Sequence, residues 1–290
     1  MIWQIISIVF PIFAIVLVGF IYARRHAPDM AAANKVTIDI FIPALIFDVL
    51  SGKDFNLIEY QALAVGAAAI ILGSGVIAWP VARLLNYPFK TFVPPMMFSN
   101  YGNMGLPLAL FAFGEQALPA AVVMFIVGNT LHFSVGMKMM DSSVSMAGLL
   151  KIPMLIATIA GLTVSFMKLE IPELIAVPIE MLGQIAIPLM LFALGVRLIH
   201  IDWKAWRIGI VGVVVCPLSG LLIAVPLGML LGLSGLQYAM LLVFGALPPA
   251  VLNYMVAERY GQEPQNVASI VMLGNLASVI VIPAVLAFVL

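Results

Sequence analysis

Two asparagines in the middle of a long apolar run are the first candidates for chemistry in this chain. Asn100 and Asn103 lie in the stretch 99–107, which also holds two glycines and a proline. These residue types weaken or remove helix hydrogen bonds, so the stretch predicts a broken helix. Pro107 suits the first turn of a helix that restarts, which would begin near Gly105. In lipid, freed backbone groups persist only where they line protein or a wet cavity.

A second interruption is predicted near residues 245–250, where Pro248 and Pro249 break another apolar run. Two interrupted helices at corresponding positions in two halves of a chain are the best sequence indication of a substrate site. The predicted substrate-binding residues are Asn100, Asn103, Gly105, Pro107, Pro248, Pro249, Asn253 and Tyr254. In the alternative interpretation, the asparagines only satisfy backbone groups that the breaks set free.

A carboxylic acid inside an apolar segment could carry a proton or bind a cation, and Asp39 is the strongest candidate. It lies four residues before Pro43, about 6 Å along a helix at about 1.5 Å per residue, near the expected membrane centre. Intramembrane carboxylates are costly and usually functional. At an offset of 145 residues lies Gln184, a neutral counterpart. In the alternative interpretation, Asp39 is a buried acid hydrogen-bonded to Asn129 or to unwound backbone.

Three further polar residues complete the candidate coupling group. His132 follows Asn129 by three residues and therefore shares its helical face. His132 is a candidate pH-sensitive partner of the site, with a structural role as the alternative. Asn129 and Asn275 are predicted to be paired polar groups that face the two breaks.

The composition shows which elements must position these residues. Of 290 residues, 64% are hydrophobic and 9% are charged, and the mean hydropathy is +1.18. So few charges cannot cover a soluble globule. The apolar stretches run almost unbroken over about 20 residues, whereas barrel strands would alternate over about 10. We predict an all-α integral membrane protein, which excludes a soluble enzyme, a disordered protein and a nucleic-acid binder.

Gly, Pro, Asn and charged residues divide the chain into ten apolar segments, each a predicted transmembrane helix. Their bounds are 2–23, 33–51, 57–83, 91–113, 117–139, 149–167, 173–198, 206–232, 237–259 and 265–290. With the N-terminus outside, the odd-numbered loops carry Arg24, Arg25, Lys35, Arg83, Lys90, Lys138, Lys151, Arg197, Lys204, Arg207 and Arg259. The other side carries only Lys53 and Lys168. Because basic residues concentrate on the cytoplasmic side, we predict a multi-pass protein of the cell (inner) membrane with both termini outside or periplasmic.

The second half of the chain echoes the first. Residues 42–47 match residues 187–192 at an offset of 145, and Gly128-Asn129 matches Gly274-Asn275 at an offset of 146. Five spans are an odd number, so two such halves must cross the membrane in opposite senses. This predicts a 5+5 inverted repeat, with the first repeat in residues 1–140 and the second in residues 141–290.

These residues resemble the auxin efflux carrier family of membrane transporters over nearly the whole chain. The resemblance rests on Asn34 nine residues before Pro43, on the stretch 100–107, and on the proline-rich ninth segment. It implies a bile-acid-symporter-like fold in which helices 4 and 9 cross at their breaks. Helices 1, 2, 6 and 7 would form a scaffold, and helices 3–5 and 8–10 a transport core. The long cytoplasmic loop of many plant members is absent, since residues 139–149 form a short link, so no auxin function is carried over.

The resemblance further implies a secondary active transporter of small organic anions, namely carboxylates, that works by alternating access. Free N–H groups and the positive ends of the half-helices would attract such an anion. The driving force would be a proton gradient, a sodium gradient or the membrane potential, with no sodium site assigned. The expected partners are the carboxylate, H⁺ or Na⁺, the lipid bilayer and, by resemblance alone, a second copy in a homodimer. No cofactor and no nucleic acid are expected.

Two other classes stay open as alternatives. An anion channel or facilitator is the first, although channels more often use oligomeric rings of charge or carbonyl groups. An intramembrane enzyme is less favoured, because no HExxH motif, Asp-rich pair or nucleophile elbow occurs in the chain. The single cysteine, Cys216, excludes an internal disulfide and a cysteine-based zinc site. We therefore predict no catalytic residues and no metal ligands.

Overall fold

The computed structural model describes residues 2–52, 55–143, 148, 151–200 and 205–290. Within these ranges the secondary structure is helical, and the only β-type pairing is an isolated antiparallel bridge between Ser99 and Pro249. The expectation of an all-α protein is confirmed for this part of the chain. Lys53, Lys204 and residues 149–150, which entered the predicted topology, lie outside the described residues.

Fourteen α-helices follow one another in the described ranges. They are α1 (Ile2–His26), α2 (Ala31–Val36), α3 (Ile42–Ser51), α4 (Gln61–Leu84), α5 (Phe89–Met97), α6 (Leu106–Phe113), α7 (Leu118–Leu131), α8 (Met137–Met140), α9 (Pro153–Phe166), α10 (Glu173–Arg197), α11 (Trp206–Leu230), α12 (Gly235–Gly245), α13 (Leu252–Arg259) and α14 (Pro264–Val289). Three π-helical turns join neighbouring helices, at Thr37–Phe41, Tyr101–Gly105 and His132–Gly136. Short 3₁₀ turns occupy Leu57–Tyr60, Glu115–Ala117 and Leu198–His200.

Six helical stretches in the described residues are long and apolar enough to cross a membrane. They are Ile2–His26, Leu57–Leu84, Glu115–Met140, Glu173–Arg197, Trp206–Leu230 and Pro264–Val289. Each has 25 to 28 residues, and about 20 suffice to span the hydrocarbon core. The chain is therefore a multi-pass membrane protein. The ten-span count and the 5+5 repeat stay predictions, because the remaining apolar segments are shorter or interrupted.

The helix stops in both stretches where the sequence predicts a break, but the first gap is narrower than predicted. After α5 ends at Met97, helical structure resumes at Tyr101 rather than near Gly105. The Asn100 carbonyl oxygen accepts hydrogen bonds from the backbone N–H groups of Met104 and Gly105, which closes a turn directly after the gap. The second gap is longer, since α12 ends at Gly245 and α13 begins at Leu252.

The helices pack in two groups. In one group, α1 lies along α10, and α3 lies against both α9 and α10. In the other, α11 contacts α4, α12 and α14, while α4 also contacts α5 and α7. Glycines allow close approach in both groups: a Cβ at Gly195 would overlap the Val16 carbonyl oxygen, and one at Gly220 would overlap the Gly245 carbonyl oxygen.

Candidate functional site

The two gaps in the helices contact each other through their backbones. The Asn100 N–H donates to the Pro248 carbonyl oxygen at 2.7 Å, and the Ala250 N–H donates to the Phe98 carbonyl oxygen at 2.8 Å. Groups that each helix leaves unpaired at its end are thus satisfied by the other gap, as a buried backbone requires. We call residues 98–100 and 246–251 together the break unit.

Three buried asparagine side chains hold the break unit together. Asn100 Nδ2 donates to Asn275 Oδ1 at 2.9 Å, and Asn275 Nδ2 donates to the Pro249 carbonyl oxygen at 2.9 Å. Asn253 Nδ2 donates to the Phe98 carbonyl oxygen at 2.8 Å. The contacts of Asn253 and Asn275 are those of the alternative interpretation, in which amides satisfy the broken backbone, whereas the Asn100 amide bonds another side chain. Asn253 Oδ1 is buried and has no hydrogen-bond partner in the described part of the chain.

A cavity of about 170 Å³ lies against one side of the break unit. All three π-helical turns contribute to its wall, through Thr37, Tyr101 and His132 among others. The wall also includes Asn34 before α3 and the last residue of α10, Arg197. π-helical turns occur often at functional sites, because the extra residue shifts the helix face. This cavity is the best candidate for a ligand site among the residues described.

Four of the predicted site residues line this cavity, namely Asn100, Asn103, Asn129 and His132. The Asn103 side chain is half-buried and makes no hydrogen bond with the described residues. Asn129 Nδ2 donates to the Phe125 carbonyl oxygen at 3.0 Å, which leaves its side-chain oxygen as an acceptor. The His132 ring is buried and stacks on Phe98, with centroids 4.2 Å apart.

The other predicted substrate-site residues lie within or next to the break unit but outside the cavity wall. Gly105 packs against Phe244 and Leu247, and Pro107 is buried at the start of α6. Pro248 and Pro249 line a void of about 10 Å³, too small for an organic ligand.

Two more candidates lie on α13 and α14 rather than on the cavity wall. Tyr254 donates its hydroxyl hydrogen bond to Glu258 Oε1 at 3.1 Å, on the same helix. Asn275 makes its contacts with the gaps themselves and is absent from the wall.

The expectation of a buried Asp39 is wrong. Its side chain is 40% exposed, and its Oδ2 accepts a hydrogen bond at 2.7 Å from Lys35 Nζ in an ion pair. Lys35 precedes Asp39 by one helical turn, so both lie on one face. The Asn129 side chain donates its hydrogen bond to the Phe125 carbonyl oxygen and not to Asp39. Gln184 is exposed as well and donates to Glu180 Oε1 at 3.0 Å.

Arg197 is the cavity residue that the sequence-based reasoning missed. It is the single Asp, Glu, Lys or Arg among the described residues of the wall. The side chain is half-buried and forms no ion pair with any described residue. Its position in the sequence is a usable signal, since Arg197 falls inside the seventh apolar segment, although the charge pattern alone assigns it to the cytoplasmic side.

The wall is chemically compatible with a small anion. It offers amide groups and one guanidinium, and no carboxylate from the described residues would repel a negative ligand. The described residues contain no group of three or more His, Cys, Asp and Glu side chains that could hold a metal ion.

Comparisons with known proteins indicate a membrane transport protein. A family model described as "Membrane transport protein" matches residues 142–286. The chain is 25% identical to a Rhizobium meliloti protein named "Putative malonate transporter", over 98% of this chain and 95% of that protein. It is 24% identical to an uncharacterized transporter of Methanocaldococcus jannaschii, over 95% of this chain and 96% of that protein.

A third relative has the same extent of similarity. An uncharacterized transporter of Methanothermobacter thermautotrophicus is 26% identical, over 95% of each chain. The family model matches half of the sequence, and the relatives align with nearly all of it. With its multiple apolar helices and its interrupted segments, the chain belongs to the auxin efflux carrier family of membrane transport proteins.

Proposed function

We propose that this protein is a secondary active transporter of small organic anions, specifically carboxylates. The observation that carries the proposal is the cavity beside the break unit, whose wall combines amide groups with one guanidinium. Among the described residues, this guanidinium has no ion-pair partner and the wall has no acidic side chain. Hydrogen bonds from charged and amide donors are what a carboxylate requires in a low-dielectric site. A relative that carries the name of a malonate transporter supports the same substrate class.

Within this proposal, Asn103 contacts the substrate directly. Its amide lines the cavity without a competing partner in the described residues, so it is free to donate to a carboxylate oxygen. Asn100 lines the same wall but is committed to Asn275, so it fixes the geometry of the break unit beneath the ligand. The remaining predicted residues, Gly105, Pro107, Pro248, Pro249, Asn253 and Tyr254, would act through the shape of the gaps.

The two packing groups suggest how alternating access would work in this proposal. We propose that α1, α3, α9 and α10 form the scaffold, and that the helices packed around α4, α11 and α14 move against it as the transport core. The cavity lies between them, since α10 and α3 supply one wall and the break unit the other. In this proposal the chain has ten spans in a 5+5 inverted repeat, helices 4 and 9 cross at the break unit, and two copies form a homodimer.

The driving force is proposed to be a proton gradient, a sodium gradient or the membrane potential. Of the coupling candidates, Asn129 and His132 line the cavity, whereas Asp39, Gln184 and Asn275 do not. His132 is therefore the coupling residue best placed to sense a bound anion, although its ring is stacked on Phe98.

Transport in liposomes tests the proposal. Purified full-length protein is reconstituted, and uptake of radiolabelled malonate, malate, propionate and acetate is measured while pH, sodium and voltage gradients are imposed one at a time. We expect saturable uptake and acceleration by carboxylate on the opposite side, because a carrier returns faster when loaded. Protein-free liposomes are the control. Flux that rises linearly with concentration, with no acceleration by the opposite side, would indicate the channel alternative instead.

A further inference from the structure

Arg197 supplies the guanidinium of the cavity wall, and its contact with the substrate has not yet been specified. It ends α10, lines the cavity, is half-buried and has no ion-pair partner in the described ranges. A partly buried charge without a partner costs free energy, so its place on a cavity wall indicates a ligand that completes it.

Arg197 lies on the same face of α10 as three other residues of the cavity wall. Leu189, Met190, Ala193 and Arg197 all line the cavity, so they form one face of the helix. Arg197 lies eight residues beyond Leu189, about 12 Å along the axis at about 1.5 Å per residue. Because Cα–Cβ bonds tilt toward the N-terminus of a helix, the Cα–Cβ bond of Arg197 is directed toward Leu189 rather than toward the end of the helix. One cavity wall thus carries both the Asn103 amide and the Arg197 guanidinium.

We propose that Arg197 recognises a second carboxylate, which makes the site selective for dicarboxylates over monocarboxylates of the same length. One carboxylate group binds at Asn103, beside the break unit, and the other pairs with the Arg197 guanidinium. A guanidinium matches a carboxylate through two parallel N–H···O hydrogen bonds, which gives both strength and geometric selection. This inference rests on the proposed function, because it concerns the substrate class of the same site.

A lipid phosphate is the competing ligand for an arginine near a helix end, since long basic side chains reach toward headgroups. The position of Arg197 on the cavity face of α10, together with Ala193 and Met190, favours the cavity ligand. Arg83 supplies a matched control, because it occupies the last turn of α4, is exposed and does not line the cavity.

The experiment compares malonate with propionate, which have the same three-carbon length and differ by one carboxylate. Affinities are measured as ligand-dependent thermal stabilisation of the full-length protein, and uptake is measured in liposomes. Wild type should prefer malonate. Arg197→Gln should weaken malonate binding roughly tenfold or more, as expected for loss of a charge-assisted hydrogen bond, and propionate binding less than about threefold. The malonate affinity of Arg197→Lys should fall between those of the wild type and Arg197→Gln. Both affinities of the control variant Arg83→Gln should match those of the wild type.

The outcomes separate this inference from the proposed function. An unchanged malonate-to-propionate affinity ratio in Arg197→Gln would overturn the role of Arg197 while leaving carboxylate transport intact. If Arg197→Gln does not fold, the same ratio in Arg197→Lys decides, because the charge is kept and the two-pronged geometry is lost. A wild type that takes up no carboxylate at all would overturn the proposed function, and this inference with it.

Discussion

At the scale of single residues, Asn100 and Asn103 have different roles although they are identical in type and three positions apart. Asn100 is 3% exposed and bonded to Asn275, whereas Asn103 reaches the cavity with no partner among the described residues. Asn103→Ala should therefore change the free energy of unfolding by less than about 0.5 kcal/mol. The same variant should lose the stabilisation that malonate gives to the wild type in a thermal unfolding assay. Full malonate stabilisation in this variant would remove Asn103 from the site.

Asn100→Ala should instead destabilise the fold, by about 1–3 kcal/mol, because it leaves Asn275 Oδ1 buried without a donor. Asn275→Ala should cost a similar amount for the reciprocal reason and because the Pro249 carbonyl oxygen loses its donor. Since the two side chains share one hydrogen bond, the double variant should be less destabilised than the sum of the single ones. Unfolding measured in detergent for all three variants checks this, and additive losses would mean that the pair is not coupled.

The sequence was enough to name Asn103, Asn129 and His132 as candidates, and all three line the cavity, but it did not distinguish them from Asn100, whose side chain is bonded to Asn275. The hydrogen-bond partner of Asn100 lies 175 residues further along the sequence, and no local pattern predicts such a contact. The ion pair of Asp39, by contrast, could have been predicted from the local sequence. Lys35 lies one helical turn before Asp39, and opposite charges at that spacing attract each other.

At the scale of elements, the helix interruptions were predictable because proline and glycine act locally on the backbone. Their length was not, since the restart at Tyr101 depends on hydrogen bonds to the Asn100 carbonyl oxygen. The three π-helical turns were missed for a related reason: an extra residue in a helical turn has no composition of its own. These turns nevertheless shape the cavity wall, so the site owes part of its geometry to features without a clear sequence signature.

Close packing of α11 on α12 supports the second gap, and Gly220 makes it possible. A Cβ at position 220 would overlap the Gly245 carbonyl oxygen, which is backbone and cannot rotate away. Gly220→Ala should therefore destabilise the protein by about 1–3 kcal/mol despite the better helix propensity of alanine. Gly73→Ala is the matched control, because its Cβ would meet only the flexible tip of Ile223 at 2.7 Å. Equal thermal stability of the two variants would contradict this account of the contact.

At the scale of the whole molecule, composition predicted a multi-pass membrane protein, and the structure and the family confirm it. The number of spans is harder to read from helix length, because a segment interrupted at its centre yields two pieces that each fall short of a bilayer. Residues 89–113 and 235–259 are both of this kind. The interruptions that would mark the substrate site therefore also conceal two of the ten predicted spans.

The predicted topology and the direction of α13 together predict the side of the membrane to which the cavity opens. That helix runs from the break unit to Arg259, on the side that the basic residues predict to be cytoplasmic. Met255 lines the cavity on this helix and is 45% exposed. Met255→Cys should therefore react with a membrane-impermeant thiol reagent from the cytoplasmic side only, and malonate should slow the reaction. The native Cys216 is buried and should give no background labelling.

Two control variants mark the two sides of the membrane. Ser142→Cys marks the predicted cytoplasmic side and Gln116→Cys the predicted outer side, because both residues are exposed in turns at opposite predicted ends of helices. Labelling of Met255→Cys from the Gln116 side would instead place the opening of the cavity on the side opposite to Ser142 and contradict this prediction.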